Sequence, residues 1–339
     1  MALTLTYKTY ELPLRHPFTI SRYTVTAQKT IVACISDGEI SGYGEATANP
    51  YYNSTVEKLA ASVDKVSVFC ASAEEMHPRD FWNLIEPCLQ NDYFALCAID
   101  IAFWDYYARK HGRTLRSFFS SSERTPITSY TIGIDTIGAM AAKILETPWP
   151  LYKIKLGTNK DIEIVESLRK VTDAMFRVDA NAAWSAEQAI FYSKELKQLN
   201  VEFIEQPLPA IDIEAMRKVK FESELPLIAD ESCQRSDDVK ACSGLFHGIN
   251  IKLMKCGGIT PALNMIETAR KLNLSVMAGC MTESTVGISA LAQIAPLLDY
   301  LDADGAMLLA SDIASGVSFS QGEIQYADRY GTGAEILAF

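Results

Sequence analysis

The chain reads as an α/β protein: a (β/α)8-type barrel behind an N-terminal α+β domain. Three observations predict this. First, six hydrophobic runs each stop at an ionisable residue: YKIKLG (Lys153, Lys155), FRVDAN (Asp179), EFIEQP (Glu205), PLIADES (Asp230, Glu231), GINIKLMK (Lys252, Lys255) and YLDADG (Asp302, Asp304). From Lys155 to Asp179, Glu205, Asp230 and Lys252 the steps are 24, 26, 25 and 22 residues, the length of one strand plus one helix. Second, from about Thr125 strand-like runs alternate with helical patterns, which implies parallel pairing. Third, residues 1–125 break that rhythm, and 339 residues suit a barrel plus an accessory domain better than one ordinary domain.

In the first part, residues 3–12 alternate as a strand, Lys29–Ser36 forms a second, and SDGEISGYGEA sets an Asp37-Gly38 turn between two strands. Helices are expected over roughly 54–71, 78–88 and 92–111; in the last, Ala95, Ile99, Ala102, Phe103 and Tyr106 recur at helical spacing and would bury one face. Barrel strands are expected near 127–133, 151–156, 175–179, 201–205, 226–229, 248–253, 274–278 and 300–302. Ser185 and Gln188 form a capping box for a helix over 186–199. Thr260-Pro261 reads as N-cap and first-turn proline of the helix ending near Leu272. The last barrel helix is expected to be short or replaced, because 310–318 is rich in small residues. The division is therefore 1–125, 126–316 for the barrel, and a segment 317–339 that leaves the barrel and packs back on the first domain.

Composition narrows the function classes. Apolar residues make up 48% and charged residues 22%, enough for a sizeable core. A net charge of −11 argues against nucleic acid or an anionic membrane as partner. The eight cysteines show no CxxC or metal-type pairing, which reads as reduced thiols in a cytoplasmic enzyme. The first residues lack the basic and apolar regions of a signal peptide, and no 18-residue apolar run is present. Homo-oligomerisation is left open.

Charged residues at the ends of parallel barrel strands stand where such barrels keep their chemistry. Asp179, Glu205 and Asp230 come from three successive strands, whose ends lie about 5 Å apart. A lone acid at such a place is usually a helix cap or a surface carboxylate. Three in register crowd negative charge into one mouth, which is tolerable only around a cation, and an all-oxygen set with room for water suits Mg²⁺. Lys153 and Lys155 flank Ile154 and share a strand face. Tyr152, Ile154 and Leu156 suit the helix-facing side, so both lysines would point to the axis, where lysine rarely goes without a partner or a task. Lys252 ends the sixth strand, four strands round from Lys155, so the two would confront each other across the mouth. Two bases on opposite sides of a bound carbon suit a 1,1-proton transfer, with lysine pKa values drawn toward neutrality by the metal and neighbouring cations. Lys255 is expected to face outward or lie on the next turn, without a role. Asp302 and Asp304 could be a second metal site, a cap or a receptor for a substrate cation. Cys97 and the histidines (His16, His77, His111, His247) show no triad-like setting and read as structural.

Together GYGEA, KIK, VDAN, IEQP, ADES, NIKLMKCGG and GTGAEI resemble the enolase superfamily, in its muconate-lactonising-enzyme subgroup, over essentially the whole chain. That superfamily uses a Lys or His base with Mg²⁺ to stabilise an ene-diolate. The resemblance implies a modified TIM barrel with an N-terminal capping domain, and Asp179, Glu205 and Asp230 as ligands of one Mg²⁺ per subunit. It further implies Lys155 and Lys252 as the acid/base pair, and Lys153 beside the substrate carboxylate. More narrowly, GCMTES (279–284) followed by LDADG looks like the dipeptide epimerases. The likeness implies Asp302 and Asp304 as receptors of a dipeptide's ammonium, Thr131 and Cys280 as substrate contacts, and Arg22 of TISR as partner of a glutamate side chain. The implied substrate pair is L-Ala-L-Glu and L-Ala-D-Glu, in murein-peptide turnover. N-acylamino-acid racemase and o-succinylbenzoate synthase are the nearest alternatives. A barrel retained only for binding is a third, against which the full set of acids and lysines counts. The loop between Asp230 and Lys252 is shorter than usual for the subgroup, which puts its surface helix in question.

Overall fold

The computed structural model describes residues 2–21, 23–89 and 92–337. The chain opens with an antiparallel sheet of β1 (Thr4–Thr19), β2 (Thr24–Ser36) and β3 (Ser41–Thr47), in that order. Asp37 Oδ1 accepts the backbone N–H groups of Glu39 and Ile40 at 2.9 and 2.8 Å, and Gly38 takes φ +96°, which closes the β2–β3 turn. The β1–β2 hairpin is longer than the sequence predicts. Its ladder slips between Pro13 and Phe18 and then resumes. Arg15-His16-Pro17 interrupts the alternation there, which is why the strand reads as finished at residue 12.

Helices α1 (Val56–Val66), α2 (Pro78–Leu89) and α3 (Tyr93–Lys110) follow. The spacing in α3 predicts one buried face, but every residue from Phe94 to Tyr106 is buried. The helix is covered by the sheet on one side and by the barrel on the other. Gly42 and Gly44 permit this: a Cβ there would stand 2.1 Å from Tyr106 N and from Ala98 O respectively. The GYGEA motif is thus first a packing surface.

The barrel strands are β4 (Tyr130–Ile132), β5 (Leu151–Lys155), β6 (Met175–Asp179), β7 (Val201–Glu205), β8 (Leu227–Ala229), β9 (Gly248–Lys252), β10 (Ser275–Gly279) and β11 (Tyr300–Asp302). They pair in parallel and in sequence order. A parallel bridge between Thr128 and Leu301, with Thr128 Oγ1 accepting from Ala303 N at 2.7 Å, links the last strand to the first. The outer helices are α4 (Ile137–Glu146), α5 (Asp161–Arg169), α6 (Ala186–Gln198), α7 (Ile213–Glu222), α8 (Asp238–Cys242), α9 (Leu253–Cys256), α10 (Ile259–Lys271) and α11 (Thr285–Gln293). The capping box at Ser185 is present. Helix α8 is only five residues long, in keeping with its short loop. After β11 a 3₁₀ turn (Gly305–Leu308) stands where a helix would be.

Thr260 is not the N-cap of α10; Gly258 holds that position. The Thr260 hydroxyl and N–H instead donate to Asp100 at 2.7 and 2.9 Å, and Trp104 Nε1 donates to Thr260 Oγ1. The proline follows in the first turn as expected, but the threonine serves as a cross-link to α3. A second cross-link comes from Glu45, whose buried carboxylate accepts the N–H groups of Ser284 and Gly287, each at 3.1 Å, at the start of α11. The last residues return to the first domain: Thr332 N donates to Asp105 at 2.6 Å, and Arg109 pairs with Glu335 at 3.1 Å.

Candidate active site

Strand alternation stacks the barrel interior in layers. Phe203, Ile228 and Met277 form an apolar cluster, with Arg177 over the rings of Phe203 and Tyr300 at 5.1 Å each. Lys153 is in register with Arg177, and two residues further along the strands Lys155, Asp179 and Glu205 are in register with one another. Tyr152 points to the helices, donating to Thr147 O at 2.8 Å. The two lysines of KIK therefore face the axis.

Asp179, Glu205 and Asp230 each place one carboxylate oxygen within 4.8 Å of the others, all buried. Lys155 Nζ donates to Asp179 Oδ2 at 2.6 Å. Lys153 Nζ lies 2.7 Å from Glu205 Oε2, 3.3 Å from Asp179 Oδ2 and 2.8 Å from Asp302 Oδ2. Lys252 Nζ donates to Asp230 Oδ2 at 2.8 Å. Lys155 and Lys252 thus reach the cluster from strands on opposite sides of the ring, each through a different acid.

The electrostatics follow from these distances. Burial works to raise the Asp179 carboxyl, but Lys155 and Lys153 outweigh it and bring it down to about 2. Burial opposes Asp230 ionisation as well, and Lys252 and Lys255 hold it well below the usual range. Glu205 goes the other way, pushed up to about 7 by burial and by the charge of Asp179. An acid left in that state among two other acids is one whose ionisation calls for a further cation, so the donor set fits a hard divalent ion. The lysines respond to the acids beside them. Burial alone would lower Lys252, but Asp230 beside it holds the ammonium well above the ordinary lysine value, as Asp302 and Glu205 do for Lys153.

Asp302 and Asp304 hang over the same mouth. Asp302 Oδ1 accepts from Ser129 Oγ at 2.7 Å, and Asp304 Oδ2 from Thr131 N at 2.5 Å. Lys153 and Ser129 keep Asp302 low against the effect of burial, whereas burial and the Asp302 charge push Asp304 up to about 7. Cys280 Sγ lies 3.9 Å from Asp304 Oδ1. These groups line one cavity of about 790 Å³, its open mouth included, together with Lys153, Lys155, Lys252 and Thr131. Its far wall is the tip of the β1–β2 hairpin: Phe18, Ile20, Tyr23 and Val25. Arg22 lies outside the described residues.

Lys255 meets one of its two expected placements. It sits on the turn after β9, but its side chain is turned inward with no exposure. It donates to Asp230 Oδ1 at 2.6 Å and to the carbonyls of Asp230 and Cys233 at 2.6 and 2.9 Å. Asn250 was also missed; its Nδ2 donates to Glu205 Oε1 at 2.8 Å. Asn250 precedes Lys252 by two and so shares its strand face, a signal open to period-two reasoning. The histidines are peripheral as expected; His247 Nδ1, for one, accepts from Leu227 N at 3.0 Å. All eight cysteines are free thiols. Among the described residues, no helix is long and apolar enough to cross a membrane.

A capped parallel barrel with acids and lysines at its C-terminal mouth defines an enolase-superfamily enzyme. Residues 3–118 match the mandelate racemase / muconate lactonizing enzyme N-terminal domain and residues 137–338 the enolase C-terminal domain-like family, and the chain belongs to this family. It is 51% identical over 334 residues to an L-Ala-D/L-amino acid epimerase of Flavobacterium johnsoniae, spanning 98% of this chain and 99% of that one. A substrate-liganded L-Ala-D/L-Glu epimerase from Bacillus subtilis superposes with TM-score 0.94 at 25% identity, covering all of both chains. A dipeptide epimerase from Cytophaga hutchinsonii, complexed with Mg and D-Ala-L-Val, superposes with TM-score 0.93 at 26% identity, covering 99% of this chain and 96% of that one. Proteins named in this way are isomerases, and the chain is an isomerase by class.

Proposed function

We propose that this enzyme is a Mg²⁺-dependent dipeptide epimerase that inverts the α-carbon of the C-terminal residue by two-base 1,1-proton transfer. The observation that carries the reading is the buried acid triad with Lys155 on Asp179 and Lys252 on Asp230, below an acidic pair that can read an ammonium. Asp179, Glu205 and Asp230 would hold one Mg²⁺ per subunit. That ion, when bound, supplies positive charge against the negative charge that builds on the substrate carboxylate.

The protein does the rest. An α-proton beside a carboxylate is very weakly acidic, because its removal adds a second negative charge to that group. Lys153 sits at the right level to accept the carboxylate, and one such preorganised contact is typically worth about 3–4 kcal/mol. Lys155 and Lys252 flank the α-carbon: one takes its proton and the other returns a proton to the opposite face, the roles exchanging with the starting epimer. Asp302 and Asp304 receive the free amino terminus, with Thr131 and Cys280 beside them, so charge recognition fixes the α-carbon between the lysines. We place the enzyme in the cytoplasm, in murein-peptide turnover, with the division 1–125, 126–316 and 317–339.

Two readings of the inverted residue differ in their support. Glutamate, as in L-Ala-L/D-Glu, rests on Arg22. An apolar or aromatic side chain is favoured by Phe18, Ile20, Tyr23 and Val25, which face the cavity from the hairpin. The described lining favours the second. Incubation with a dipeptide library and Mg²⁺ in D₂O, read by mass, tests both levels. Deuterium uptake by L-Ala-Xaa with apolar Xaa supports the broader reading, and uptake by Xaa-Glu alone restores the narrower one. A library without any uptake would reject epimerase chemistry.

A further inference from the structure

The described residues include one fully buried lysine that the proposed chemistry leaves without work. Lys252 lines the cavity, whereas Lys255 does not reach it; their side chains are 10% and 0% exposed. Both grip the same carboxylate, Lys252 at Oδ2 (2.8 Å) and Lys255 at Oδ1 (2.6 Å). Lys255 also has the carbonyls of Asp230, Cys233 and Asn250 at 2.6, 2.9 and 3.3 Å. Four acceptors around three N–H donors leave the ammonium no free valence for substrate. The acceptors come from two adjacent strand ends, β8 and β9, and from the loop that follows β8.

We propose that Lys255 is a positioning residue: it immobilises Asp230 through Oδ1 and the neighbouring carbonyls, so that Oδ2 alone is presented to the cavity as a metal ligand. The fixed orientation explains how Asp230 can serve the ion and Lys252 with one oxygen while the other stays bound to the scaffold. The inference rests on the metal-ligand reading of Asp230.

The two possible roles of this cation predict opposite signs. If Lys255 acted only as a nearby positive charge, removing it would tighten a divalent ion. If it orients the ligand, removing it weakens the ion, because the carboxylate gains rotamers that do not point inward. The test is calorimetric titration of the whole protein with Mg²⁺, with Mn²⁺ electron paramagnetic resonance as a second readout, on wild type, Lys255→Met, Lys255→Gln and Asp230→Asn. The expected result is a tenfold or greater loss of Mg²⁺ affinity in Lys255→Met, partial recovery in Lys255→Gln, which keeps an N–H donor, and a broadened Mn²⁺ spectrum. Unchanged or tighter binding by folded Lys255→Met overturns the proposal. So does a failure of both Lys255 variants to fold, which would make the residue a determinant of folding instead. Wild-type affinity in Asp230→Asn rejects the ligand assignment itself, a different outcome from failure at Lys255.

Discussion

Lys153 Nζ stands 2.8 Å from Asp302 Oδ2, so the residue proposed for the substrate carboxylate is paired with one proposed for the substrate ammonium. A zwitterionic dipeptide can exchange with this pair without leaving either charge alone: its ammonium takes the aspartate and its carboxylate the lysine. A substrate with an acylated nitrogen cannot make that exchange.

Asp302→Asn is therefore expected to lower kcat/KM for free dipeptides by about 30-fold or more, since stripping one partner from a buried charge pair costs about 2–5 kcal/mol. Steady-state kinetics on a dipeptide and on its N-acetyl derivative check this. Equal small effects on both would favour the N-acylamino-acid racemase alternative.

Each lysine should serve one face. Lys155→Ala and Lys252→Ala are each expected to lower epimerisation by about 10²–10⁴-fold or more, the usual worth of a positioned base. Each variant should still exchange the α-proton of one epimer, and the surviving epimer should differ between the two. NMR of single L,L and L,D substrates in D₂O reads this directly; loss of the same epimer in both variants would contradict the opposed arrangement.

At the hairpin, Tyr23→Ala should weaken discrimination in favour of large apolar side chains by about 10–200-fold, the range for apolar groups in a pocket. The ratio of kcat/KM for L-Ala-L-Phe and L-Ala-L-Ala measures it, with kcat for the alanine substrate nearly unchanged.

Stability carries a pH signature away from the site. Burial pushes the Asp100 carboxyl up to about 7, even though Thr260 donates to it. The folded state therefore holds a proton that the unfolded chain loses near pH 4. This contribution is fully present below about pH 4 and is lost as pH rises toward 7. Urea midpoints at pH 5 and 7.5 should differ less in Asp100→Asn than in wild type; an unchanged difference would assign the slope to other groups.

The barrel was legible because its strands are buried on both sides and end in charge. Asp179, Glu205, Asp230 and Lys252 stand out as polar terminators of apolar runs, and the fold brings them together as the spacing implies. Lys255 was illegible for a local reason. The four-residue helix Leu253–Cys256 turns the chain back at once, so a residue beyond the strand points inward again. Thr260 misled because a hydroxyl before proline resembles a cap, and only the partner helix α3 shows which acceptor it serves. The hairpin wall was hidden by Arg15-His16-Pro17, where a break in alternation marks a slip in register and not the end of a strand.

The cross-links from Glu45 to α11 and from Asp100 to Thr260 pin the first domain to the barrel at two separate points. Rigid-body swinging of that domain would have to break buried hydrogen bonds at both points, so it is a poor candidate for gating. The hairpin beyond the slip at Pro13, which carries the apolar wall, is tied to the barrel as well: Arg15 Nε donates to Leu309 O at 2.8 Å and Ile134 N to Thr19 O at 2.9 Å. Choice of side chain would then be vested in one short hairpin, re-tailorable without disturbing the reacting centre.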